Sequence, residues 1–279
     1  MIIDSHVHLW QIARGDYDWM TGPGTEALTP IRRDFAAADL RPLLQAAGVD
    51  RVVLVQAAAT VAESRFLLQQ AAAMPEVAGV VGWVAMDGGA VEDSLERLAA
   101  DPAFKGVRPM IHDIADPDWM LGDALAPAFQ ALVRKDLTFD CLVRPVHLPN
   151  LLTLLQRHPD LRAVICHGAK PDIEAGQFTE WATQMAALAR DTAAFCKLSG
   201  LITEAGPGWT PAGLRPYVEH LLEVFGPQRL IWGSDWPVLT LTASYDDWWT
   251  AAHGLLANLS EGDKAAVFGG NAMRAYRLQ

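Results

Sequence analysis

The sequence predicts a parallel (β/α)8 barrel, and three observations carry that prediction. Eight short apolar, β-branched runs recur about every 32 residues, close to the length of one strand-plus-helix unit. The segments between them place apolar residues at helical spacing. Ionisable residues gather at the C-terminal ends of the runs, the side on which this fold builds its sites.

The first run is IIDSHVH (2–8), and RVVLVQA (51–57) and GVVGWVAM (79–86) follow it. KGVRPMI (105–111) and LTFDCLV (137–143) are the fourth and fifth, RAVICHG (162–168) and FCKLSG (195–200) the sixth and seventh, and RLIWGSD (229–235) the eighth. Each is nearly continuous in apolar residues, as strands of a parallel sheet covered on both faces should be. Between them, DLRPLLQAAGV (39–49) lines up Leu40, Leu43, Leu44 and Ala47 on one helix face. AESRFLLQQAAAM (62–74) reads as a second helix and PYVEHLLEVFG (216–226) as another, with Gly226 as its stop. An open doubly wound sheet is the competing architecture, but no Gly-x-Gly-x-x-Gly follows an early strand. Without linkers, low-complexity tracts or tandem repeats, residues 1–279 are expected to form one domain. Two connections break the spacing. Residues 9–38, rich in Gly, Pro, Trp and Asp, follow strand one and are expected to cap the mouth, and 201–215 is a second such loop.

Composition excludes several classes of function. With 22 basic and 33 acidic residues the formal net charge is −11, so no basic surface awaits nucleic acid or an anionic membrane. No run approaches the roughly 18 apolar residues of a membrane span. Cys141, Cys166 and Cys196 are odd in number, far apart and set in apolar surroundings, which fits reduced thiols in the cytoplasm. No basic segment leading into an apolar stretch opens the chain, so no signal peptide is expected. Self-association is left open, so a homo-oligomer is compatible with the sequence.

His6 and His8 alternate on strand one and so share a side, where both rings can face the barrel mouth. Arg108 ends strand four, Asp140 lies on strand five with Arg144 beyond it, and His167 ends strand six with Lys170 after it. Strand seven offers Lys197 and Ser199, and strand eight ends in Ser234-Asp235-Trp236-Pro237. Closing the barrel makes strands one and eight neighbours. His6, His8 and Asp235 can then ligate one divalent cation with a position left for water, or Asp235 alone can serve as general base. Gln56, at the end of strand two, joins Trp10, Asp140, Lys170 and Trp236 as candidate substrate contacts, and ten tryptophans offer apolar faces to a sugar ring. His112, His147, His158, His220 and His253 read individually as surface or satisfied core residues. A non-enzymatic binder has little reason to bury so many ionisable groups. A phosphate-handling barrel would not place an acid in GSDWP, where phosphate would be repelled.

DSHVHLW, RVVLVQA, KGVRP, CHGAK, CKLSGL, IWGSDWPV and the terminal GNAMRAY together resemble the amidohydrolase superfamily, from residue 2 to about 276. The resemblance is to the amidohydrolase-2 branch, which holds sugar-lactone and pyrone-dicarboxylate lactonases. It implies a distorted barrel that hydrolyses the cyclic ester of a sugar acid. Asp235 would activate water, His6, His8 and His167 would bind metal or polarise the carbonyl, and Arg108 would hold a hydroxyl or carboxylate. Catalysis would rest on Asp235, His167 and Arg108. Strand five carries Asp140 where metal-rich members have histidine, and strand four carries Arg108 in place of a bridging lysine or glutamate. A binuclear centre is therefore not expected: either one divalent ion (Zn2+ or Mn2+) or none is, and no organic cofactor. In CHGAK, Cys166 replaces the Asp that more often precedes the histidine. Metal-assisted decarboxylation and lactone isomerisation are the alternative chemistries for the same scaffold.

Overall fold

The apolar runs form the staves of a barrel in the computed structural model, which describes residues 1–279. They are β1 (Ile3–Val7), β2 (Arg51–Val55), β3 (Val77–Gly82), β4 (Phe104–Val107), β5 (Thr138–Cys141), β6 (Ala163–Ile165), β7 (Phe195–Leu198) and β8 (Leu230–Trp232). All pair in parallel in the order β1 to β8. The seam between first and last strands closes just above β8. There Asp235 N–H donates to His6 O (2.9 Å) and His8 N–H to Trp236 O (2.7 Å).

The strands are shorter than the apolar runs, because the chain leaves the sheet where the polar residues begin. After Ile165 it enters a tight turn over Cys166–Ala169, with His167 at φ 53° and Gly168 at φ 56°. Asp235 (φ 61°) and Lys170 (φ 52°) are likewise left-handed. For residues other than glycine such backbone costs about 1–2 kcal/mol each and is retained where a side chain must be aimed.

Helices follow the strands as the spacing predicts: Ala37–Ala47, Val61–Ala73 and, after β7, Pro211–Phe225. The last begins five residues before the expected start. Pro216 reads as a first-turn proline, but Thr210 is the cap, its Oγ1 accepting from Gly213 N–H at 3.1 Å, and Pro211 takes the first turn. No helix is long and apolar enough to cross a membrane.

Residues 9–38 fold over the mouth around their own buried Trp10, Tyr17, Met20, Ile31 and Phe35. Trp10 and Phe35 bridge the two ends of the segment, and Tyr17 Oη donates to the buried Glu63 (2.9 Å), pinning it to the barrel. A large apolar layer fills the space between strands and helices. A small second cluster plugs the barrel bottom: Ile3, Val53, Val55, Val81, Val164 and Ile231 meet Ala272, Ala275, Tyr276 and Leu278 from the C-terminal segment. Above this plug the interior turns polar.

Candidate active site

The polar interior rises in two layers. In the lower one, Asp140 and Lys197 form an ion pair at 2.8 Å with both side chains fully buried. Tyr276 Oη donates to that carboxylate (2.9 and 3.0 Å), and Lys197 Nζ lies 3.1 Å from His6 Nδ1. Arg108 Nη1 stands 3.1 Å from the opposite nitrogen of His6, Nε2, while its Nη2 donates to Gln56 O. Gln56 Nε2 returns a bond to Arg108 O (2.6 Å).

In the upper layer Asp235 Oδ1 faces three imidazoles. His8 Nε2 is 3.3 Å away, His6 Nε2 3.6 Å and His167 Nε2 3.9 Å. Burial lowers all three rings, His6 and His167 well below the ordinary histidine value, so they are neutral at physiological pH. Burial alone would raise the Asp235 carboxyl, but the His167 and His8 rings and the Lys170 ammonium outweigh it and hold it at about 2. The result is an ionised carboxylate ringed by neutral imidazoles.

A cleft of about 260 Å3 opens above this carboxylate. Its polar wall is His8, Arg108, His112, Asp113, His167, Lys170 and Asp235, and its apolar wall is Trp19, Ala57, Met110, Leu142 and Val238. Lys170 is held by Glu204, in the short helix after β7. Arg108 Nε and His112 Nδ1 are buried without a protein partner. Buried polar atoms in that condition call for a water or ligand partner.

The structure thus brings His6, His8, His167, Arg108 and Asp235 into one cluster and sets Lys170 on its rim. Four expected substrate contacts do not line the cleft. Trp10 lies behind His8 (ring centroids 6.2 Å apart, 28° between planes), with its indole N–H given to Arg33 O (2.8 Å). Trp236 is buried edge-on against Phe35 (5.3 Å, 90°). Gln56 braces Arg108, and Asp140 serves Lys197 at the floor. Sequence reasoning missed His112, read as surface or core, together with Asp113, Met110, Leu142 and Val238. The available sign was position: MIHD directly follows KGVRP on the side of the barrel that carries sites.

The donor chemistry of the cluster suits a divalent cation. His8 Nδ1 lies 2.7 Å from Val55 O and must donate to it, so Nε2 presents its lone pair to the Asp235 carboxylate. Two electron-rich atoms 3.3 Å apart call for a proton or a cation nearby. His167 can match this arrangement, because Ser199 Oγ, 2.8 Å from Nδ1, can accept and free Nε2. The ligand atoms of His6, His167 and Asp235 also lie within 4.8 Å of one another. His6 differs in having a cationic side chain at each ring nitrogen. By donor chemistry the fit is to His8, His167 and Asp235, whereas by proximity alone it is to His6, His167 and Asp235.

Comparison with known proteins agrees with this architecture. The family model described as Amidohydrolase matches residues 3–278. An L-fucono-1,5-lactonase of Burkholderia ambifaria is 44% identical, the alignment covering 99% of this chain and 95% of that protein. An L-fucono-1,5-lactonase of Burkholderia multivorans is 34% identical, covering 99% and 96%. A crystal structure of an amidohydrolase from Burkholderia multivorans with bound zinc superposes with a TM-score of 0.92 at 32% identity, over all of both chains.

Proposed function

The chain belongs to the amidohydrolase family, and from that footing we propose that Asp235 is the base with which it opens its substrate. It is a lactone-hydrolysing enzyme acting on the cyclic ester of a sugar acid, the reaction named for both lactonase relatives. Those relatives favour hydrolysis over the decarboxylation and isomerisation that the sequence left open. The observation that carries the assignment of roles is the placing of the Asp235 carboxylate at the cleft, with Oδ1 3.3, 3.6 and 3.9 Å from the Nε2 atoms of His8, His6 and His167.

The lactone carbonyl sits over the floor, and Asp235 takes a proton from the attacking water. Charge developing on the carbonyl oxygen meets the Arg108 guanidinium, fixed before the reaction begins. The proton passes from Asp235, or through His167, to the ring oxygen as the ester bond breaks. His112 and Lys170 offer donors to sugar hydroxyls. The apolar wall of Met110, Leu142 and Val238 suits an unhydroxylated end of the sugar, so an L-fucono-1,5-lactone or a similar 6-deoxy aldonolactone is the proposed substrate. His8, His167 and Asp235 would hold a divalent cation, which when bound supplies Lewis acidity to the carbonyl. The three cysteines are free and buried, in keeping with a reducing cytoplasm.

Proton release from aldono-1,4- and 1,5-lactones and dicarboxylate lactones, measured before and after chelation, tests this reading. Asp235→Asn should lower kcat by about 10²- to 10⁴-fold with little change in KM. Equal rates in the two proteins would remove Asp235 from the role of base. Loss of the wild-type rate on chelation, restored by zinc, would make the cation part of the working site.

A further inference from the structure

The His6 ring lies between two side chains that can only donate. Lys197 Nζ lies 3.1 Å from Nδ1 and Arg108 Nη1 lies 3.1 Å from Nε2, and all three residues are buried. A neutral imidazole has one lone pair, so it can accept from one of them. Lys197 has the stronger claim. Its ammonium is fully enclosed, anchored by Asp140, which Tyr276 holds in turn, and His6 Nδ1 is the other acceptor it reaches. Arg108 has Gln56 O as an acceptor and further donor hydrogens facing the cleft.

We infer that Lys197 is a positioning residue that fixes His6 as the Nε2–H tautomer, making His6 a hydrogen-bond donor toward the Asp235 carboxylate instead of a metal ligand. His8 shows the contrast within the same strand: its Nδ1–H goes to Val55 O and its Nε2 lone pair faces the site. His6 is wired the other way round. Its Nε2–H then faces Asp235 Oδ1 at 3.6 Å, beside Arg108 Nη1, and helps to orient that carboxylate. A fully buried ion pair is a costly means of holding a fold, and removing one partner is strongly destabilising. Its position beneath the His6 ring gives it this use. The tautomer stands on geometry alone, and only the kinetic consequence rests on the lactonase reading.

Two-bond 15N–1H spectra of the 15N-histidine-labelled enzyme read the tautomer directly, with the His6 signals assigned by their loss in His6→Gln. The wild type should show a protonated Nε2 and an unprotonated Nδ1 at His6. The reverse pattern overturns the inference, whether or not any lactone is turned over. Lys197→Met should move His6 toward Nδ1–H and lower kcat by about 10²-fold with KM within roughly threefold, the size of misplacing the base by about 1 Å. Lys197→Gln, whose amide can still donate to Nδ1, should keep the wild-type tautomer and recover at least about tenfold of that loss. Equal impairment of the two folded variants with His6 still Nε2–H would reduce Lys197 to packing and overturn the inference. If Lys197→Met does not fold, the wild-type spectrum decides.

Discussion

Asp4 shows how much a single buried carboxyl can do at the site's edge. Its Oδ1 accepts from Ser234 N–H (2.8 Å) and His6 N–H (3.2 Å), and its Oδ2 from Tyr245 Oη (2.9 Å), tying β1 to the turn that carries Asp235. Burial raises its pKa from 3.8 to about 6 despite those hydrogen bonds. Because the folded value lies above the unfolded one, the folded state binds this proton more tightly. Asp4 therefore favours folding most below about pH 4, and that contribution is lost as pH rises through 6. The difference amounts to about 3 kcal/mol across the window. Urea unfolding of wild type and Asp4→Asn between pH 4 and 7 should show the wild-type stability falling relative to the variant by that order. A gap constant with pH would mean that Asp4 titrates normally. At this scale the sequence was most informative where a polar residue interrupts an apolar run, as with His6, His167, Arg108 and Asp235. It was least informative where a tryptophan or glutamine faces away from the cleft or a histidine sits in irregular chain. Trp10, Gln56 and His112 depend on long-range packing that one-dimensional spacing does not encode.

Among the elements, the turns after the strands carry the greatest geometric demand. Gly200, between β7 and the short helix Leu201–Glu204, has φ 66°, and a Cβ there would stand 2.6 Å from His167 Nδ1 and 2.7 Å from its Cγ. Gly200→Ala must therefore displace the His167 ring as well as strain the backbone. We expect about a 10²-fold loss in kcat/KM and a loss of about 1–2 kcal/mol in stability, read from lactone kinetics and urea unfolding. Activity near wild type would show that His167 can shift without penalty. All eight strands were legible because barrel staves are continuously apolar. Helix starts were less so, since Pro216 and Pro211 both look like first-turn prolines and only the Thr210 cap separates them. The 9–38 segment was recognisable as a cap by its length. Its path was not, because Tyr17 finds Glu63 across 46 residues of sequence.

For the molecule as a whole, the two ends of the chain finish the barrel. Tyr276 enters from the C-terminal helix Asn271–Tyr276 to hold Asp140 at the floor. Tyr276→Phe should cost about 1.5–3 kcal/mol, the worth of a hydrogen bond to a charged group, measurable in urea at neutral pH. No loss would mean that Lys197 alone satisfies the carboxylate. At the other end of the barrel axis, the hydrogen bonds that close β1 to the turn after β8 belong to His6, His8, Asp235 and Trp236. Three of the four latch residues thus belong to the site cluster, which bears on how the protein is made. His6 and His8 are synthesised first, and Asp235 follows more than two hundred residues later. At about 5–20 residues per second, β1 waits roughly 10–50 s for its carboxylate and its last neighbour. Through that interval the nascent chain has an open edge and no site, and both are resolved in one event when the eighth strand docks.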